Sequence, residues 1–316
     1  MGLPYTALAQ LRRKEYLGTF QAVAPSTAAA QQTTLEVAGA WNVETLQVLL
    51  GSITSAMIQQ VQLFADGVLF QTWSGTVLDK RIQYDGGPSV TANNVLTLPF
   101  NRLAVVGGLS AQMADKTVIL GDPVTVAGVS SLNMGTGGGG LSAIQVLRIQ
   151  LTIINSPVTT SSMPVYGVVT APLAGGPGPV LRVLQQSKTM SNGSITINKS
   201  EFGFDAQTQY LNRIYFDASS GLTMDQIKIM YGGALWWNYV PEVVNLNMEA
   251  GLLGPVKTLP QAGFIALDFQ EGGIGTDMLD LTNPTTDFNV QFTAGGLTGS
   301  PAIPFYCEVL GPAKAS

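Results

Sequence analysis

The chain has 316 residues, enough for one large domain or two ordinary ones, with 46% hydrophobic but only 11% charged residues. That charge content is far below the roughly 25% of an average soluble domain, so much of the surface is expected to be hidden in an assembly or to be polar and uncharged. A net charge of −5 with scattered Lys and Arg excludes a phosphate-neutralising surface, zero histidines remove the commonest general base and metal ligand, and a single cysteine excludes an internal disulfide.

Residues 3–17 carry the clearest helical period. Pro4 suits a first turn, and Leu8 and Leu11 fall near one face, with Arg12, Arg13 and Lys14 opposite. The spacing predicts a short amphipathic helix in an N-terminal segment 1–19, docked on a neighbouring subunit or lying on an anionic lipid surface. "MGLPYT" also fits the short myristoylation pattern at Gly2 and Thr6, with Pro4 inside it. No apolar leader and no run of about 18 apolar residues is expected to act as a signal peptide or a spanning helix.

From residue 20 onward strands dominate. Segments 45–52, 61–73, 94–100, 116–129 and 143–154 are rich in β-branched residues and bounded by Gly, Pro, Asn or Asp. One of them, "VQLFADGVLFQTW" (61–73), has an echo 166 residues later in "IKIMYGGALWWNY" (227–239). Each runs apolar and polar residues into a dipeptide, Asp66-Gly67 or Gly232-Gly233, that accepts φ > 0 and so marks a tight reversal between strands. The run "MGTGGGG" satisfies G-x-G-x-x-G at Gly135, Gly137 and Gly140, but a strand-like segment follows it, so it reads as a loop and not a phosphate cradle.

Residues 155–180 hold five prolines and read as an inter-domain connection, narrowed to 161–180. On the same 166-residue offset "LQVLLG" (46–51) lines up with "NRIYFD" (212–217), and "LTLP" (96–99) answers "KTLP" (257–260) at an offset of 161. A period this long is the size of a whole domain, which gives two similar β domains, 20–160 and 181–316.

Catalytic chemistry finds no footing. Asp277 and Asp280, Asp66 and Asp85 form no ligand run, and aspartate beside glycine belongs to turns. Cys307, in the alternating run "IPFYCEVL", reads as a packed thiol. Trp236-Trp237 reads as filling a core and a subunit contact, with sugar stacking as the sharper alternative. No catalytic, cofactor-binding or metal-binding residue is expected, and the chain is read as a non-enzyme.

"IQQVQLFADGVLFQTWSG" (58–75) is similar to a pattern in which an Ile/Val-rich strand meets a Gly-containing bend and a second apolar strand. "QAGFIALDFQ" (261–270) is similar to a segment that leads into a short helical excursion. On these stretches, from about residue 20 to 311, the chain resembles the double jelly-roll major capsid proteins of membrane-containing tailless (tectivirus- or corticovirus-like) phages. The resemblance implies an all-β fold of two tandem eight-stranded jelly rolls. It implies a pseudo-hexagonal homotrimer that tiles an icosahedral virion shell, assembled in the host cytoplasm. Lateral copies, minor capsid and vertex proteins, and an internal membrane touched by the N-terminus would be its partners, with no direct nucleic-acid contact. A β-sandwich carbohydrate- or receptor-binding virion component, spike-like, stands as the alternative.

Overall fold

The computed structural model describes residues 13–23, 29–38, 42–100, 132–133, 146–154, 162–170, 180–240, 260–269, 278–283 and 285–311. Two compact units emerge, the first running up to Ile82 and through Gly87–Leu181, the second built from Gln83–Gly86 and Arg182–Gly311.

The first unit carries β1 (Arg13–Phe20), β2 (Gln31–Ala38), β3 (Asn42–Leu49), β4 (Ile58–Ala65), β5 (Val68–Trp73), β6 (Val95–Pro99), β7 (Leu132–Asn133), β8 (Val146–Ile153) and β9 (Met163–Thr170). One sheet has the order β1-β9-β3-β6 with the short β7 on β3, and the other runs β5-β4-β8-β2. Strand β8 shows why they face each other: burial alternates along it with period two, placing Leu147, Ile149 and Leu151 inward.

The second unit carries β10 (Val180–Thr189), β11 (Gly193–Asn198), β12 (Tyr210–Asp217), β13 (Thr223–Tyr231), β14 (Ala234–Tyr239), β15 (Phe264–Asp268), β16 (Leu279–Asp280), β17 (Phe288–Gly295) and β18 (Ala302–Gly311). Its sheets are β10-β18-β12-β15, with β16 on β12, and β14-β13-β17-β11. Nine strands therefore answer nine in order. Each unit is an eight-stranded jelly roll with one extra short strand. The core of the second lies between its sheets, with Ile214, Phe216, Phe305 and Cys307 on one side and Ile229, Phe288, Val290 and Phe292 on the other.

The helix expected over residues 3–17 is corrected from residue 13 onward. Arg13–Phe20 is a strand in antiparallel register with β9, from Arg13↔Val169 to Phe20↔Met163. A partner about 150 residues away overrides the local helical period. Gly18, a poor helix former, sits where an added Cβ would meet Leu35 at 2.8 Å, so close packing between strands selects it. Leu8, Leu11 and Arg12 lie outside the described residues.

Other sequence expectations change too. Met163–Thr170, inside the proline-rich stretch read as a connection, is β9, with Pro164 near the strand start where a missing N–H is tolerated. A helix that the pattern did not reveal, α1 (Gly75–Tyr84), follows β5 and starts where the Ser74 hydroxyl accepts from Val77 N at 3.2 Å. It precedes the single turn α2 (Val90–Asn93), held by Val90 N donating to Asp79 Oδ1 at 2.8 Å. Within 261–270, Phe264–Asp268 is strand β15. Segments 116–129 and 135–140 lie outside the described residues.

Candidate assembly surface

The echoed stretches are one hairpin made twice. In the first, β4 pairs β5 as Val61↔Trp73, Leu63↔Gln71, Phe64↔Leu69 and Ala65↔Val68, with Phe70 bulged out. In the second, β13 pairs β14 as Ile227↔Tyr239, Ile229↔Trp237, Met230↔Leu235 and Tyr231↔Ala234, with Trp236 bulged out. The turns use positive φ throughout, at 48° and 87° for Asp66 and Gly67 and at 58° and 78° for Gly232 and Gly233. Even the bond that ties each turn to the next strand recurs: Asp66 N donates to Val146 O, and Gly232 N to Asp287 O, both at 2.9 Å.

Burial separates the copies. Leu69 and Leu235, next to the turns, are both exposed, but Phe70 is 1% exposed and Trp236 41%. Trp236 lies flat on Trp237, with centroids 5.1 Å apart and planes 10° apart, while Trp237 packs on the core beside Phe269. Leu235 and Trp236 on β14, which ends its sheet among the described strands, and Val240 just past it are exposed apolar side chains.

The sheets around β3 and β12 diverge in the same way. Each has a bulge on the side facing β9 or β18, at Glu44 and at Asn212, so Thr45 corresponds to Arg213, Gln47 to Tyr215 and Tyr166 to Tyr306. On the first unit's outer face, Tyr16, Tyr166, Gln47 and Thr97 make a row across four strands, with the two tyrosine rings edge to face at 5.8 Å. Tyr16 is 59% and Tyr166 38% exposed.

On the second unit the matching positions are sealed. Arg213, Tyr215, Tyr306, Glu308 and Asp268 are all buried. Arg213 donates from Nη1 to Asp85 Oδ1 at 2.7 Å and to Tyr215 Oη at 2.9 Å, its Nε lies 2.9 Å from Asp268 Oδ2, and its guanidinium sits over the Tyr84 ring. Burial works against the guanidinium charge, but Asp268 and Asp85 outweigh it and hold the group above its ordinary range. Nearby, Asn212 Nδ2 donates to Glu308 Oε2 at 3.1 Å. Spacing gave no hint of this cluster, because it is assembled from β12, β15, β18 and the segment Gln83–Gly86.

Of the residues singled out from sequence, Asp66, Gly67, Gly232 and Gly233 form the two turns, and Asp66 also accepts from Val146 N through Oδ1 at 2.8 Å. Lys14 is exposed on β1. The Cys307 thiol is buried, which pushes its pKa well up and keeps it from acting as a nucleophile. Among the described residues no cluster of three acidic, His or Cys side chains could hold a metal, and no helix is long and apolar enough to cross a membrane.

No protein-family model matches the chain. No curated relative matches it either. Among solved structures, it is similar to the major capsid protein P2 of bacteriophage PM2, at a TM-score of 0.68 and 15% identity over 95% of this chain and 97% of that one. It is also similar to the quasi-atomic capsid of PBCV-1 virus, at a TM-score of 0.57 and 9% identity over 95% of this chain and 94% of that one. At these identities the likeness is one of fold, and the fold is the double jelly roll of capsid proteins.

Proposed function

We propose that this chain is a major capsid protein, a structural component of a virion. Three copies form a pseudo-hexagonal trimer, and trimers tile an icosahedral shell around an internal membrane. The observation that carries the reading is the strand-for-strand correspondence of the two units, since three chains then present six similar barrels around one axis. The end-to-end likeness to a phage capsid protein supports it, as does a surface poor in charge and edged with aromatics.

In the same reading the further partners are minor capsid and vertex proteins, and the membrane is met by the N-terminal residues up to the start of β1, with Arg12 and Arg13 near anionic headgroups. Each cation there is worth roughly 1 kcal/mol. Assembly takes place in the host cytoplasm.

Light scattering on the purified protein tests the trimer. A species of about three chains that survives mild heating is expected, and a monodisperse monomer overturns the reading. One observation favours a second reading, a glycan-binding virion component: the open face of Trp236 is of the kind on which a sugar ring stacks. A monomer that binds a glycan array through Trp236 would establish that reading instead.

A further inference from the structure

The turn between β10 and β11 carries Asn192-Gly193, the single Asn-Gly pair in the sequence. The turn and the segments that hold it all lie within the second unit. In such a pair the glycine has no Cβ, so its amide nitrogen can approach the asparagine side-chain carbon closely. A bond then forms from Gly193 N to Asn192 Cγ, the Cγ–Nδ2 bond breaks, and ammonia leaves with the Gly193 amide proton. Water opens the resulting cyclic imide at either carbonyl, giving aspartate or isoaspartate. Reactions of this kind make asparagine a thermolabile residue.

In the fold that amide is held at both ends. Asn192 Nδ2 donates to Leu297 O at 3.1 Å, and Leu297 N donates to Asn192 Oδ1 at 2.9 Å. A donor and an acceptor on one main-chain residue fix which way the amide points. Leu297 is anchored in turn, its side chain buried in the core of the unit. Across the turn Met190 is also buried, and its N–H donates to Pro301 O at 3.0 Å. Beside Leu297, Gly296 has a φ of 72°, and a Cβ added there would collide with Gly221 O. The turns after β10 and β17 and the one ahead of β13 are thus packed together. Asn192 must give up both bonds to swing toward Gly193. Its side chain is exposed, so water reaches the site.

We propose that Asn192-Gly193 is a latent self-modification site, locked by the clamp on Leu297 and converted by water when the turns part. The conversion runs one way. Aspartate keeps an acceptor for Leu297 N but sets its second oxygen against Leu297 O, where the Nδ2 donor has been lost. Isoaspartate also lengthens the main chain where β11 begins. The clamp therefore cannot close again, and converted chains accumulate with the time that this end of the barrel spends open. The inference goes beyond the capsid reading and does not depend on it.

The test compares the full chain, folded and held in urea, during incubation in mildly alkaline buffer. Isoaspartate at residue 192 is counted by peptide mapping. The folded chain should convert at least about tenfold more slowly, because reaction there waits on local opening. Equal rates, or no conversion in urea, overturn the proposal. Gly296→Ala strains the clamp without touching the reacting pair and should speed conversion in the folded chain. An unchanged rate in that variant removes the clamp from the account. Should Gly296→Ala fail to fold, the aged parent protein decides the matter. Its converted molecules, separated by charge, should melt at a lower temperature than the unconverted ones, and coincident melts overturn the lock.

Discussion

The hairpins β4–β5 and β13–β14 share their register, their bulge, their positive-φ turn and the bond from turn to next strand, yet Phe70 is sealed and Trp236 open. The outer faces around β3 and β12 diverge likewise, with Tyr16 and Tyr166 open on one and Arg213 sealed among carboxylates on the other. Backbone pairing is fixed by each unit's own fold, so duplication preserves it. Side chains on the outer faces answer to whatever lies against them, and there the copies have been free to part.

The sharpest break of this comparison comes at Arg213 and Thr45, which occupy one position in two barrels. Arg213→Met leaves Asp85 and Asp268 buried without their cation, and a loss of about 3–5 kcal/mol is expected in denaturant unfolding. Thr45→Val at the counterpart should move stability by no more than about 0.5 kcal/mol. Comparable losses at both positions would show that the two faces are not in different surroundings.

The bulge residues give the next contrast. Phe70→Ala empties a buried site and should cost about 3–5 kcal/mol. Trp236→Ala should cost the isolated chain about 1 kcal/mol or less, and its main effect should be on self-association, read as a drop in the trimer fraction by light scattering. At the turns the copies should agree instead. Gly67→Ala and Gly233→Ala meet no neighbouring atom but force alanine to φ of 87° and 78°, so each should lose about 1 kcal/mol in thermal melts.

The hairpins were legible in the sequence because Asp66-Gly67 and Gly232-Gly233 announce their own turns and the flanking alternation has period two. The alignment of β3 with β12 was legible in kind but not in register. Matching "LQVLLG" to "NRIYFD" pairs Leu46 with Asn212, whereas the bulges pair Leu46 with Ile214. A two-residue slip is silent to any alternation pattern, since it returns every side chain to the same face. The match of "LTLP" with "KTLP" fails for a different reason: the counterpart of β6 is β15, which begins at Phe264. Strand β1 was hidden because its partner comes from residues 163–170, and α1 because Gly75 at its start masks the Ser74 cap. The Arg213 cluster has no local signature at all, being gathered from four separate stretches.

The smallest expected effect concerns acid, and it falls on the second unit. Arg182 grips Asp205 through two hydrogen bonds, Nη1 to Oδ1 at 2.9 Å and Nη2 to Oδ2 at 2.6 Å. The hydrogen bonds from Arg182 lower the Asp205 pKa from 3.8 to about 2. Glu201, bound by the Asn198 backbone and by Lys188, is also lowered. A carboxyl whose folded pKa lies below its unfolded one stabilises the fold fully above the unfolded value, and that contribution drains away as pH falls through the folded value. Reporters on the second unit should therefore soften between about pH 4 and about pH 2. Asp205→Asn should flatten that slope while changing stability little at neutral pH, because the Asp205 side chain is 44% exposed and screened by solvent. If the acid slope of Asp205→Asn matches the parent's, the Arg182 pair has no part in it, and Glu201 is the group to test next.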